Sequence, residues 1–87
     1  MALTERVEIS RREVLADGQI QVRTDTVIER DGVEISRSFH RHVVVPGADL
    51  SGEDATVQRV ATAEHTSAVI AAYEAKMAAI AAAARGG

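Results

Sequence analysis

The spacing of apolar residues changes at Pro46, the only proline of the chain. Before Pro46, apolar and polar residues alternate, as in a half-buried β-strand; after it, apolar residues recur every three or four positions, as in an amphipathic helix. Proline cannot donate a hydrogen bond to a sheet, so it favours the end of a strand. The pattern predicts one small α+β domain over residues 1–87, with strands over 4–45 and helices over 53–84.

Two turn signals divide the first part into three strands. Asp17-Gly18 and Asp31-Gly32 are pairs that favour tight turns, since glycine accepts a positive φ without steric cost. Between them, residues 19–29 give the clearest strand pattern, because one side is wholly β-branched. Short turns between consecutive strands predict a three-stranded antiparallel β-meander. We expect the helical part to pack on one face of this sheet.

The third strand, predicted over residues 33–45, carries charge on its apolar side. Arg37 and Arg41 interrupt that side, and Phe39 lies between them on the same side. This interruption indicates that part of the side reaches solvent or a partner. Arg37, Phe39 and Arg41 are therefore candidate contact residues.

The helical part is predicted as two helices, over 53–64 and over 67–84. The polar residues at 65–67 favour a break between the two, and one unbroken helix is the alternative. Ser51 stands three residues before Asp54, a spacing that resembles a capping box and predicts that the first helix begins after Ser51.

An apolar stripe at three- and four-residue spacing runs along the second predicted helix. Its members are Ile70, Tyr73, Met77 and Ile80. Such a stripe most often packs into the core of its own domain. The alternative is a seam for a partner helix, since alanines on either side of the stripe would let another backbone approach closely. The four residues are therefore also candidate contact residues.

Composition predicts a light core. The chain has 87 residues, one Phe, one Tyr, no Trp and no Cys. A domain of this size buries only about 60% of its unfolded surface, and aromatic side chains contribute the largest burial per residue. We therefore expect stability to come partly from oligomerisation or from docking on a larger body. The lack of cysteine excludes disulfides and thiolate zinc sites.

The charge of the chain argues against two classes of partner. The formal net charge of −3 gives no general electrostatic reason to bind nucleic acid or an anionic membrane. Lys76 is the only lysine, whereas a nucleic-acid footprint is rich in basic and aromatic residues. No stretch of membrane-spanning length is free of charge. We expect a soluble protein with neither nucleic acid nor a membrane as partner.

The sharpest local feature for chemistry is the pair His40 and His42. On a strand the two imidazoles point to the same side and offer a weak candidate metal site, with His65 or Asp49 as further ligands. The competing interpretation is a polar strand face. No glycine-flanked serine and no Gly-rich phosphate loop is present. We expect no enzymatic activity and no cofactor.

Four stretches resemble a group of small proteins encoded by tailed bacteriophages. They are Gln21–Thr24, Asp31–His42, Leu50–Asp54 and Val69–Tyr73. The resemblance covers about the middle two-thirds of the chain. It implies a phage origin and a place among head or tail components of the particle, and it assigns no role to individual residues.

Two functions follow as hypotheses. The first is a non-enzymatic structural or accessory component of a tailed-phage particle, which binds a capsid, neck or tail surface as a small homo-oligomer and moves from the host cytoplasm into the virion. The alternative is a free regulatory protein that inhibits a host protein through the same surfaces. An exposed edge of the meander suits either function, because a partner strand can add to it.

Overall fold

The computed structural model describes residues 2–85 and confirms the α+β prediction. Strands β1 (Leu3–Val14), β2 (Ile20–Arg30) and β3 (Val33–Val44) form an antiparallel sheet in the order β1-β2-β3. Helices α1 (Ala55–Glu64) and α2 (Ser67–Arg85) follow. The described residues therefore contain two helices, separated where the sequence indicated a break.

Tight turns connect the strands at the predicted sites. Asp31 and Gly32 both have positive φ, 51° and 83°, which is the requirement of the two-residue hairpin turn that suits the twist of a sheet. The backbones of Asp31 and Ala2 are joined by a 2.9 Å hydrogen bond that extends the β1–β2 ladder to the end of this hairpin. Gly18, with φ of 93°, serves the first turn.

A β-bulge near the start of β3 decides which side chains share a face. Ile28 pairs with Ser36, whereas the next residue of β2 pairs with Glu34, so Ile35 is the extra residue. Without the bulge, Ile28 would face Ile35, and Phe39 would lie on the same face as Ile20. With it, Phe39 lies on the opposite face, because a shift of one residue reverses every side chain that follows.

The sheet consequently has two faces of different character. The helix-side face carries the wholly β-branched side of β2, and the charged face carries its charged residues together with one glutamine and one valine. The β2 members of the helix-side face are Ile20, Val22, Thr24, Thr26 and Ile28. The β2 members of the charged face are Gln21, Arg23, Asp25, Val27 and Glu29. Each has its cross-strand partners from β1 and β3 on the same face.

The core occupies one end of the helix-side face. Ile20, Val22 and Val44 of the sheet pack against Val57 and Ala61 of α1, and all five are buried. A helix of ten residues is only about 15 Å long, whereas strands of eleven or twelve residues reach nearly 40 Å. The helices therefore leave the far half of the face uncovered.

Two polar contacts hold the start of α1 over the sheet. Arg12 and His42 lie on either side of Val22 in register, and they bind the carboxylates of Asp54 and Glu53 at 2.9 and 2.8 Å. Asp54 is the N-cap of α1, because its Oδ2 accepts hydrogen bonds from the backbone N–H groups of the second and third residues of the helix, Thr56 and Val57.

The capping prediction for Ser51 is therefore wrong. Asp54 lies directly before the helix and can reach its first free N–H groups, whereas Ser51 belongs to the preceding turn. The backbone N–H of Ser51 instead donates to Asp49 Oδ1 at 3.0 Å.

Helix α2 and the residue before it contact the turn between β1 and β2. His65, just before the helix, approaches the carbonyl oxygen of Gly18 with its Nε2 at 2.6 Å, and Val69 lies so close that a Cβ on Gly18 would be 2.6 Å from its Cγ1. Lys76 binds Asp17 at 2.8 Å. No residue of α2 is buried, so the expectation that its apolar stripe forms core on the sheet face is wrong.

The resulting molecule is elongated. Its extents are 60 × 32 × 20 Å and its radius of gyration is 17.6 Å, whereas a compact domain of this length has a radius of gyration of about 12 Å. Its accessible surface is 5851 Å², compared with about 5,000 Å² for a typical monomer of this size. The monomer exposes more surface than its length requires.

Candidate interaction site

Arg37 is the centre of an ion-pair network on the charged face. Its guanidinium binds one carboxylate from each strand, namely Glu34 at 2.7 Å, Asp25 at 2.7 Å and Glu8 at 2.9 Å. The hydrogen bond with Glu34, followed by those with Asp25 and Glu8, raises the pKa of Arg37 above its already high ordinary value. Arg37 was a candidate contact residue, and its guanidinium is mostly engaged within the chain.

Asp25 is the buried member of this network, with 1% of its surface exposed. Ser10 Oγ donates to it at 2.7 Å, Arg37 Nη1 at 2.7 Å and Arg23 Nε at 3.0 Å. These hydrogen bonds, the one from Ser10 first and that from Arg37 next, lower the pKa of Asp25 to about 2. The carboxylate is thus held ionised, and its oxygens have the partners that a buried charge requires.

A second β-bulge brings Ser10 to Asp25. Ile9 pairs with Thr24 and Arg11 pairs with Arg23, so Ser10 is the extra residue of β1. The bulge turns the hydroxyl of Ser10 toward the charged face. Sequence reasoning did not find this contact, because a bulge has no clear sequence signal here.

The other two candidate contact residues of β3 form a stack. Phe39 is 52% exposed, and the guanidinium carbons of Arg23 and Arg41 lie 4.1 and 4.7 Å from its ring centroid. Cation–π contacts at these distances are typically worth about 0.5–1 kcal/mol at exposed sites. The ring and the two guanidinium groups therefore form one ordered patch at the surface.

The candidate stripe on α2 remains at the surface. Ile70, Tyr73 and Met77 are half-buried, and Ile80 is exposed. Gly47 lies beneath Ile70, where a Cβ would meet Ile70 Cγ2 at 3.5 Å. Ile70, in the first turn of α2, therefore contacts the loop after β3, and the alanine-rich residues 78–85 are exposed.

The two candidate metal ligands lie together on the helix-side face. The rings of His40 and His42 are stacked at 6.4 Å between centroids, and His42 Nε2 contacts Glu53 at 2.8 Å. The further ligands proposed from the sequence lie elsewhere, because His65 bonds to a backbone carbonyl and Asp49 bonds to Ser51. Among residues 2–85, no group of three or more His, Cys, Asp or Glu side chains is arranged to hold a metal ion.

A shallow depression of about 480 Å³ runs along α1. Its lining residues are small or polar: Ala55, Gln58, Arg59, Thr62 and Ala63. Arg59 is the one ionisable side chain among them, and its Nη2 is bonded to Thr56 Oγ1 at 2.9 Å. This lining provides no acid–base pair.

Helix α2 is long and apolar enough, by length and composition alone, to cross a membrane, and none of it is buried. Lys76 stands at its middle, where a lysine costs about 2.5–3.5 kcal/mol in a bilayer, whereas each Ile or Val contributes only about 0.3–0.6 kcal/mol of apolar gain. Glu74 adds to the cost. The absence of a membrane partner stays a prediction.

Both edges of the sheet are open. β1 and β3 pair only with β2 within residues 2–85, so each presents one unpaired row of N–H and C=O groups. Beside these edges, the far half of the helix-side face exposes Leu3, Val7 and Val33 to 60, 64 and 65%. Long open edges next to exposed apolar side chains are typical of surfaces that pair with another chain.

Comparison with known proteins gives no further assignment. No protein-family model, no curated protein and no solved structure matches the chain. The resemblance to phage proteins therefore stays a prediction.

Proposed function

We propose that this protein is a non-enzymatic structural or accessory component of a tailed-phage particle that acts as a small homo-oligomer on a capsid, neck or tail surface. The resemblance of four stretches to small phage proteins supports the phage assignment. The main observation in favour of an oligomer is that the far half of the helix-side face is uncovered and lies between two open sheet edges.

The occupant of the β1 edge in this proposal is a second copy of the chain. In an antiparallel pair of β1 strands with Val7 on the two-fold axis, each Arg6 lies opposite a Glu8 of the other copy. Val7 then meets Val7 on the helix-side face, where it is 64% exposed in the monomer. Opposite charges and apolar pairs in register stabilise a sheet, whereas like charges would destabilise it.

The surface area agrees with this arrangement. The chain exposes roughly 850 Å² more than a typical monomer of its length. A stable interface buries about 800 Å² on each partner. Pairing through β1 would also turn two three-stranded sheets into one six-stranded sheet, which removes one open edge from each copy.

A pair of matched variants tests the oligomer. Val7→Lys places two ammonium groups opposite each other on the axis and should give a monomer, because inward charges block edge pairing. Val33→Lys introduces the same charge on the β3 edge, at an equally exposed residue, and should leave the oligomer intact. If both variants associate like the unmodified chain, the β1 interface is wrong.

Mass spectrometry of purified phage particles tests whether the protein is part of the particle. A structural component should be found in the particle at stoichiometric copy number. Its presence only in the infected-cell lysate would contradict the proposal and favour the free inhibitor of a host protein.

A further inference from the structure

Three arginines stand in one row across the charged face. Arg11 of β1 pairs with Arg23 of β2, and Arg23 pairs with Arg41 of β3. Directly paired residues project to the same face, and neighbouring strands are about 4.8 Å apart, so the row is about 10 Å long. The sequence does not reveal this row, because the bulges at Ser10 and Ile35 bring its members into register.

The row holds more positive charge than its neighbours neutralise. Arg41 has no carboxylate within 4 Å among the described residues 2–85, and Arg11 has one, Glu13, at 4.0 Å. Arg23 reaches Asp25 Oδ1, which also accepts the hydroxyl of Ser10. Like charges in directly opposing positions destabilise a sheet, so the unliganded row carries a cost that an anion would relieve.

The remaining arginines of the charged face are neutralised by nearby carboxylates. Arg37 binds three carboxylates, and Arg6 binds Glu29 and approaches Glu8 at 3.7 Å. The unbalanced charge is therefore confined to the row.

The geometry around the row limits what can bind there. The stack on Phe39 orders the guanidinium groups of Arg23 and Arg41. Beside them lies a depression of about 30 Å³, lined also by Arg11, Glu13 and Gln21. This volume admits an oxygen of an anionic group and is too small for an aromatic or sugar ring.

We propose that the arginine row binds an acidic segment of a partner protein through its carboxylates. Guanidinium and carboxylate groups form paired, charge-assisted hydrogen bonds, and two or three carboxylates of a short segment would cover a row of this length. A nucleic acid fits the row less well. Its phosphate chain would continue beyond the row over Glu13, Glu8 and Glu34, which lie on the same face, whereas two or three carboxylates need not extend past the row.

The proposal is tested by titrating the ¹⁵N-labelled chain with a hexaglutamate peptide and following backbone amide shifts. Saturable shifts should be centred on Arg11, Arg23 and Arg41. Arg41→Gln should weaken the affinity by about tenfold. Arg59→Gln removes the same charge from the exposed surface of α1 and should change the affinity less than about twofold.

Three results would overturn the proposal. One is the absence of saturable shifts at a peptide concentration of about 1 mM, and another is an equal loss of affinity in the two variants. The third is tighter binding of a single-stranded oligonucleotide of equal charge, or of inorganic phosphate, than of the peptide. A monomeric chain that binds the peptide would contradict the proposed oligomer and leave this inference standing.

Discussion

Truncation of Val57 to alanine tests whether the small core holds α1 on the sheet. Val57 is fully buried against Ile20, Val22 and Val44. Removing two methyl groups costs about 1.6 kcal/mol of apolar transfer, and the cavity left behind adds about 1 kcal/mol. The higher helix propensity of alanine returns roughly 0.5 kcal/mol. We expect a net loss of about 2 kcal/mol in the free energy of unfolding.

Urea and thermal unfolding monitored by circular dichroism measure this loss. A loss of 2 kcal/mol should lower Tm by roughly 8–16 °C in a domain of this size. Val7→Ala removes the same two methyl groups at an exposed site of the far half and should change the free energy of unfolding by less than about 0.5 kcal/mol. The two variants are compared at equal concentration, below the range of association, because oligomerisation raises apparent stability. Equal losses, or a loss under about 0.5 kcal/mol for Val57→Ala, would refute the assigned core.

Two further predictions concern the turns and the ion-pair network. Gly18→Ala should destabilise the chain more than Gly32→Ala in urea unfolding. Both glycines have positive φ, so both substitutions strain the backbone. Only at Gly18 would the new Cβ also clash, because it would lie 2.6 Å from Val69, whereas nothing lies within 4 Å at Gly32. Similar losses would show that α2 does not press on this turn. Asp25 has a pKa of about 2 in the folded chain, below the ordinary aspartate value of 3.8; its contribution to stability is therefore complete above about pH 4 and is lost as the pH falls toward 2. Asp25→Asn should accordingly show a smaller drop in urea midpoint over this interval, and an unchanged drop would contradict the role of the buried carboxylate.

The elements of the fold were predictable because local signals mark them. The two Asp-Gly turns, the alternation in β2 and the change of period at Pro46 each depend on residues close together in the sequence. The break between the helices was also correctly located, and Thr66 Oγ1 accepts the backbone N–H of Val69 there at 3.2 Å.

The arrangement of side chains on the sheet was not predictable in the same way. The bulges at Ser10 and Ile35 each insert one residue and reverse the alternation. The apolar sides of β2 and β3, each recognisable alone, therefore lie mostly on opposite faces. Val27 was a partial indication in the sequence that the charged face also contains a buried position. It is the one apolar residue on the polar side of β2, and it is fully buried.

The docking of α2 depended on contacts distant in sequence. Val69 packs on Gly18, and Lys76 reaches Asp17, 59 residues earlier. The periodicity of α2 shows an apolar stripe but does not say whether a sheet, a turn or a second chain covers it. Alanine-rich segments are especially ambiguous, because they form helices readily and bury little surface.

Sedimentation velocity of the unmodified chain over a range of concentrations tests the central claim most directly. The uncovered half of the sheet and the β1 edge predict a concentration-dependent dimer or larger oligomer that Val7→Lys converts to a folded monomer. A folded monomer at every concentration up to about 0.1 mM would contradict the account, since it would show that the exposed apolar half needs no second copy.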